Sequence, residues 1–131
     1  MLIAIKGAGD LATGIACRLH RCGFQIVCTE IEKPTTVRCT VAFSRVVYDG
    51  TATVTGVTAR LAKNADDARR IINAGEIPVL VDPEYLEAKK MEPAVLVDAI
   101  IAKKNIGTKI TDAPLVVGIG PGFTSGVDCH F

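Results

Sequence analysis

The sequence predicts a three-layer α/β domain with a mainly parallel sheet and helices on both faces. Three observations carry this. Residues 2–6, 77–81, 94–99 and 115–119 are short, continuous aliphatic runs, as strands buried on both faces require. Helix-compatible segments alternate with those runs, the arrangement that parallel crossovers impose. The first run passes directly into Gly7-Ala8-Gly9-Asp10-Leu11-Ala12, a glycine turn at the opening of a helix.

In chain order, residues 2–6 make the first strand, and Asp10 stands where it can cap a helix running to about Cys22. Leu11, Ile15 and Leu19 recur every four residues, with Ala12 and Ala16 beside them, and form its expected apolar side. Arg18, His20 and Arg21 place cations at the negative end of the helix dipole, and Gly23 supplies the stop. Residues 24–29 read as the second strand, and Pro34 marks a break. Residues 40–48 are a helix candidate ending at the turn Asp49-Gly50. Residues 51–57 alternate polar and apolar through Ala52 and Val54, the pattern of an exposed or edge strand. Asn64 and Asp67 cap a helix through Ala74, closed by Gly75. After the strand at 77–81, Asp82-Pro83 offers an N-cap and a proline at the first helical position, opening a helix to about Lys90. A buried strand at 94–99, a polar connection at 102–112 and a last strand at 115–119 complete the series. Val127-Asp128-Cys129-His130-Phe131 begins an alternating pattern and stops. The expectation is one domain over residues 1–131, the amino-terminal part of a longer protein.

Composition excludes several classes of function. The chain has 131 residues, 49% hydrophobic and 22% charged, which rules out global disorder. A formal net charge of +1 with no basic block argues against nucleic acid as a partner. Trp is absent and Phe and Tyr are few, so no aromatic stacking platform is expected. No stretch has the length of a membrane-spanning helix, and the start lacks the basic region of a signal peptide. Five cysteines at irregular spacing point to free thiols in a reducing cytoplasm, and none has metal-site spacing.

The strongest chemical signal is the GxGxxA at Gly7, Gly9 and Ala12, with Gly14 beyond it. Gly7 permits the tight turn, Gly9 admits a pyrophosphate to the backbone, and Ala12 lets the helix lie close on the sheet. The helix N-terminus then offers amides and a positive dipole end to phosphate. Glu30, about 20 residues on at the end of the second strand, can accept from a ribose 2′-hydroxyl. NAD or another adenine nucleotide is therefore a candidate ligand. Asp10 departs from the pattern, because its charge opposes an anion if it points inward.

A second cluster, Gly118-Ile119-Gly120-Pro121-Gly122-Phe123-Thr124-Ser125-Gly126, also follows a buried strand. In a parallel sheet both clusters emerge at the carboxyl edge, where Gly118, Gly120 and Gly122 can build an anion-binding nest. Arg38 can hold a phosphate or carboxylate bidentately. Cys39 beside it is the cysteine best placed for reactivity. Tyr85 and Lys89 match the YxxxK spacing of short-chain dehydrogenases, but their segment lacks the other parts of that site and reads as chance helical spacing.

The segments IKGAGDLATGIACRLHRCGF, TEIEKPTTVRCTVAFSRVVYDG and APLVVGIGPGFTSGVD together resemble the YqeB-type accessory proteins of selenium-dependent molybdenum hydroxylase systems. The likeness runs through most of the chain, and members of the family are longer. It implies a bacterial cytoplasmic protein acting in the maturation, or the selenium or molybdenum loading, of a hydroxylase. The implied partner is the molybdenum hydroxylase or its maturation machinery. A distant similarity to the Rossmann-type half of XdhC-like chaperones adds molybdenum cofactor as a candidate ligand. The motif positions that carry over are Gly7, Gly9, Asp10, Thr13, Gly14, Glu30, Pro34, Arg38, Gly118, Gly120, Gly122 and Asp128, none of them as a catalytic residue.

The resulting expectation is a Rossmann-like accessory protein whose two glycine loops and Arg38 cradle a nucleotide or other phosphorylated cofactor. Its rivals are an NAD-dependent oxidoreductase, a sulfur or selenium carrier acting through a thiol, and a docking scaffold without a small-molecule ligand. A homo-oligomer paired at the edge strand around Val54 is the further partner considered.

Overall fold

The computed structural model describes residues 1–34 and 41–131. Its elements are β1 (Leu2–Lys6), α1 (Asp10–Arg21), β2 (Gln25–Glu30), a 3-10 turn (Phe43–Arg45) running into α2 (Val46–Asp49), β3 (Thr51–Val54), β4 (Val57–Ala62), α3 (Ala65–Asn73), β5 (Ile77–Val81), α4 (Leu86–Lys90), β6 (Val95–Asp98) and β7 (Leu115–Gly118). The seven strands form one sheet in the order β3-β4-β5-β2-β1-β6-β7. β4 through β7 are mutually parallel along that order, and β3 is added antiparallel to β4 at the edge. The expected α/β class with a mainly parallel sheet is the class observed.

Strand alternation divides the core between the two faces. Ile3 and Ile5 of β1 pack with Ala12 and Ala16 of α1 and with Phe43 and Val46, whereas Leu2 and Ala4 face Ala68 and Ile71 of α3 and Ala88 of α4. Helices therefore cover both faces. From β1 the chain passes to its neighbour β2, continues to the edge hairpin β3–β4, comes back to place β5 between β4 and β2, and then crosses to lay β6 and β7 on the other side of β1. The strand order reverses between β1 and β6, and in open α/β sheets a crevice forms outside the carboxyl ends at such a point.

Several elements differ from the sequence expectation, each for a local reason. The N-cap of α1 is Gly9, and Asp10 is the first helical residue; its carboxylate accepts from the Leu11 amide at 3.0 Å. The buried side of α1 is Ala12, Thr13, Ala16 and Cys17, while Leu11 is 60% exposed. Small residues win the inner face because a helix entered through a tight glycine turn lies close on the sheet. The helix expected at 40–48 is the 3-10 turn followed by the single turn of α2, with residue 40 outside the described residues. The lone strand expected at 51–57 is the hairpin β3–β4, closed by Thr55 (φ 49°) and Gly56 (φ 83°), both with the positive φ of a type I′ turn. Its Thr-Gly pair lacks the usual Asn-Gly signature, so the strand reads as continuous. The helix expected from Pro83 begins at Leu86, because Asp82 caps from further upstream: its carboxylate accepts from the amides of Leu86 (2.8 Å) and Ala88 (2.9 Å). The last residues run beside β7, where the Val116 amide donates to His130 Nδ1 and the Gly118 amide to the Phe131 carbonyl, each at 2.9 Å. Among the described residues, no helix is long and apolar enough to cross a membrane.

Candidate functional site

The crevice at the strand reversal holds a cavity of about 380 Å³. Its wall combines the first glycine turn (Gly7, Gly9), the start of α1, Glu30 at the end of β2 with Ile31 after it, and residues 99–101 after β6. Gly7 has φ +98°, and a Cβ there would stand 3.0 Å from the Ala99 carbonyl oxygen. Only glycine combines that φ with so close a loop behind it. Gly9 is different: its φ is −68°, and nothing lies within 4 Å of where its Cβ would be. Gly7 thus serves the fold, and Gly9 leaves the backbone open toward the cavity.

The turn between them is fixed from behind. The Ala8 carbonyl accepts from the Thr13 hydroxyl (3.1 Å) and the Ser44 amide (2.7 Å), and the Thr13 hydroxyl accepts from the Phe43 amide at 2.8 Å. Thr13, a candidate ligand residue from sequence, is 1% exposed and holds the loop in shape from beneath. Both Glu30 oxygens engage backbone, Oε2 accepting from Ala8 N (3.0 Å) and Oε1 from Ile31 N (2.8 Å). Each oxygen keeps acceptor capacity toward the cavity. Among the described residues, the amides of Gly9 and Ala12 have no hydrogen-bond acceptor. They are the donors that a helix N-terminus presents to an anion. Asp10 lines the same cavity with its carboxylate folded onto Leu11 N, so an arriving phosphate has to share the helix terminus with that carboxylate.

The remaining sequence candidates are placed elsewhere. Gly14 is exposed in the middle of α1, away from this cavity. Pro34 lines the cavity, while Arg38 and Cys39 lie outside the described residues. The second glycine cluster shares the carboxyl edge but is filled by its own packing. A Cβ on Gly118 would meet the Phe123 ring at 2.6 Å, and one on Gly122 would meet the backbone of Lys104 at 2.6 Å. Gly120 abuts Ile101, a residue of the cavity wall. Asp128 accepts from the Thr124 amide at 3.0 Å and closes its own turn. Tyr85 is buried in the core opposite α1, and burial beside Asp112 and Asp82 pushes its hydroxyl pKa up. Lys89 is on the surface against Asp112, so these two do not form an acid–base pair. Cys17 and Cys28 are buried, and burial pushes both thiols up, away from the thiolate form. Cys22 is exposed.

Sequence reasoning missed Lys6. It ends β1 below the glycine turn, is 5% exposed, and donates from Nζ to Thr108 Oγ1 at 2.7 Å. The Thr108 hydroxyl donates in turn to Asp98 Oδ2 at 2.5 Å. A polar residue closing an otherwise apolar strand was the available signal, but its partner lies 102 positions away.

Together these features define a Rossmann-like domain with an open glycine-turn crevice at its strand reversal. No family model and no solved structure matches the chain. The chain is 50% identical over 129 residues, 98% of its length, to a protein of Escherichia coli strain K12 named "Uncharacterized protein YqeB". The match spans 24% of that relative, its amino-terminal quarter. Over these residues the chain is similar to YqeB, and it spans about a quarter of that relative's length.

Proposed function

We propose that this domain binds a nucleotide or other phosphorylated cofactor in the crevice of the first glycine turn, as the ligand-binding part of a YqeB-type accessory protein. The supporting observation is the pair of unpaired amides, Gly9 and Ala12, facing a cavity that Gly9 leaves open. The phosphate sits at the start of α1, and Glu30 accepts from a sugar hydroxyl. Ile31, Ile100 and Ile101 are each at least 40% exposed along the cavity wall and suit the face of a flat ring. The role served is maturation of a selenium-dependent molybdenum hydroxylase, with that enzyme or its maturation machinery as the partner.

Calorimetric titration with NAD, NADP, ADP, ATP and a molybdopterin-type ligand tests the binding. Saturable heat from one ligand class, with no turnover in a hydride-transfer assay, is the expected result. Silence from the whole panel, with hydroxylase still captured by the Gly9→Trp variant, would replace the ligand site with a docking scaffold.

A further inference from the structure

The crevice does not end at the glycine turn. A second cavity of about 100 Å³ shares Gly7, Glu30, Ile31 and Ile100 with the first and reaches Lys6 and Pro83. A third, of about 390 Å³, shares Lys6 and Pro83 with the second and continues along Ile106, Gly107 and Lys109. The three form a row across the carboxyl edge, and Lys6 lies where the second meets the third.

Lys6 is equipped to meet a ligand there. An ammonium has three N–H donors, and among the described residues only Thr108 accepts from it. Its Nζ also lies 5.1 Å from the centroid of the Tyr85 ring, whose buried hydroxyl has no hydrogen-bond partner. Burial lowers the Lys6 pKa, while Asp98, Asp112 and Asp82 act in the opposite direction. These acids also decide the ligand's charge. Asp98 and Asp82 are both buried beside the ammonium, so a second phosphate would meet their repulsion. A neutral carbonyl oxygen meets none and still accepts a charge-assisted bond.

We propose that the ligand is two-headed, a dinucleotide whose phosphates sit at the glycine turn and whose second base offers a carbonyl oxygen to Lys6. The inference rests on the phosphate site proposed above and names the ligand class for it.

The test compares NAD, its thionicotinamide analogue (in which sulfur replaces the carboxamide oxygen) and ADP-ribose (which lacks the second base), all by calorimetry. The wild-type chain should bind NAD about tenfold more tightly than either of the others, the worth of one such bond. Lys6→Met should bring NAD down to the ADP-ribose level and leave ADP-ribose unchanged. Equal affinity of the wild type for all three would overturn the role of Lys6 and leave the phosphate site standing. Binding of none of the three would overturn the dinucleotide, and silence from the wider panel above would overturn the phosphate site as well. The analogue series needs no variant, so it decides even if Lys6→Met fails to fold.

Discussion

The two glycine clusters look alike in sequence and do different work. Each follows a parallel strand and emerges at the same edge of the sheet. After β1 the chain enters a 12-residue helix, so the turn presents amides along a dipole, and Gly9 has nothing within 4 Å of its Cβ position. Among the described residues no helix follows β7, and Gly118 and Gly122 are glycines because Phe123 and the Lys104–Asn105 backbone occupy the space of a side chain. A glycine cluster therefore marks close approach, and only its surroundings show whether a ligand or the protein itself approaches. Gly7 carries the same lesson inside the first cluster, since it is closed off by Ala99 while Gly9 is open.

Substitutions sharpen this contrast, the largest effect first. Gly122→Ala places a Cβ 2.6 Å from Lys104 Cα at φ +93° and should cost about 3 kcal/mol or more in urea unfolding. Ligand affinity of the protein that still folds should not change; a cost below about 1 kcal/mol would mean that the second cluster is open like the first. Thr13→Val removes the hydroxyl that serves Ala8 and Phe43 and leaves the buried Phe43 amide without an acceptor. Its expected cost is about 1–3 kcal/mol, with weaker ligand binding because the turn loses its support. Gly14→Ala adds a Cβ with nothing within 4 Å on an exposed helical position, so it should stabilise by about 0.5–1 kcal/mol and leave binding alone. A loss of affinity there would show that the ligand reaches beyond the first turn of α1.

The smallest effect contrasts the two helix starts. α3 is capped by Asn64, which accepts from Asp67 N at 2.9 Å, whereas α1 has no side-chain bond from its cap. The Lys63 amide, then Arg70, hold the Asp67 carboxyl below its usual range. A depressed carboxylate stabilises at neutral pH and loses that contribution as pH falls through its folded-state value. Thermal midpoints followed from pH 6 down to about 2 should fall less steeply in Asp67→Asn than in the wild type, and parallel curves would remove Asp67 from the cap.

What could be read from sequence was local. The strand at 77–81 and the bounds of α1 follow from an aliphatic run and from a turn and a stop glycine, each visible within a few residues. The hairpin was not legible, because Thr55 takes a positive φ that threonine rarely adopts. The start of α4 was displaced because the Asp82 side chain reaches four and six residues ahead, beyond an ordinary cap. Gly9 and Glu30, singled out by their spacing in sequence, line one cavity in the fold. The polar set of Lys6, Thr108 and Asp98 joins the ends of β1 and β6 to the connection after β6, which meet only in the folded protein, and no spacing encodes that.

The central claim is that the first glycine turn is a ligand site and the second is packing. Thermal unfolding of the wild type and Gly9→Trp, each with and without the ligand that titration identifies, tests it most directly. At 100 times its dissociation constant the ligand should stabilise the wild type by about 2.7 kcal/mol. Gly9→Trp, whose side chain enters open space, should fold with nearly the wild-type midpoint and show no ligand shift. A full shift retained in Gly9→Trp would contradict the claim and move the site away from the first glycine turn.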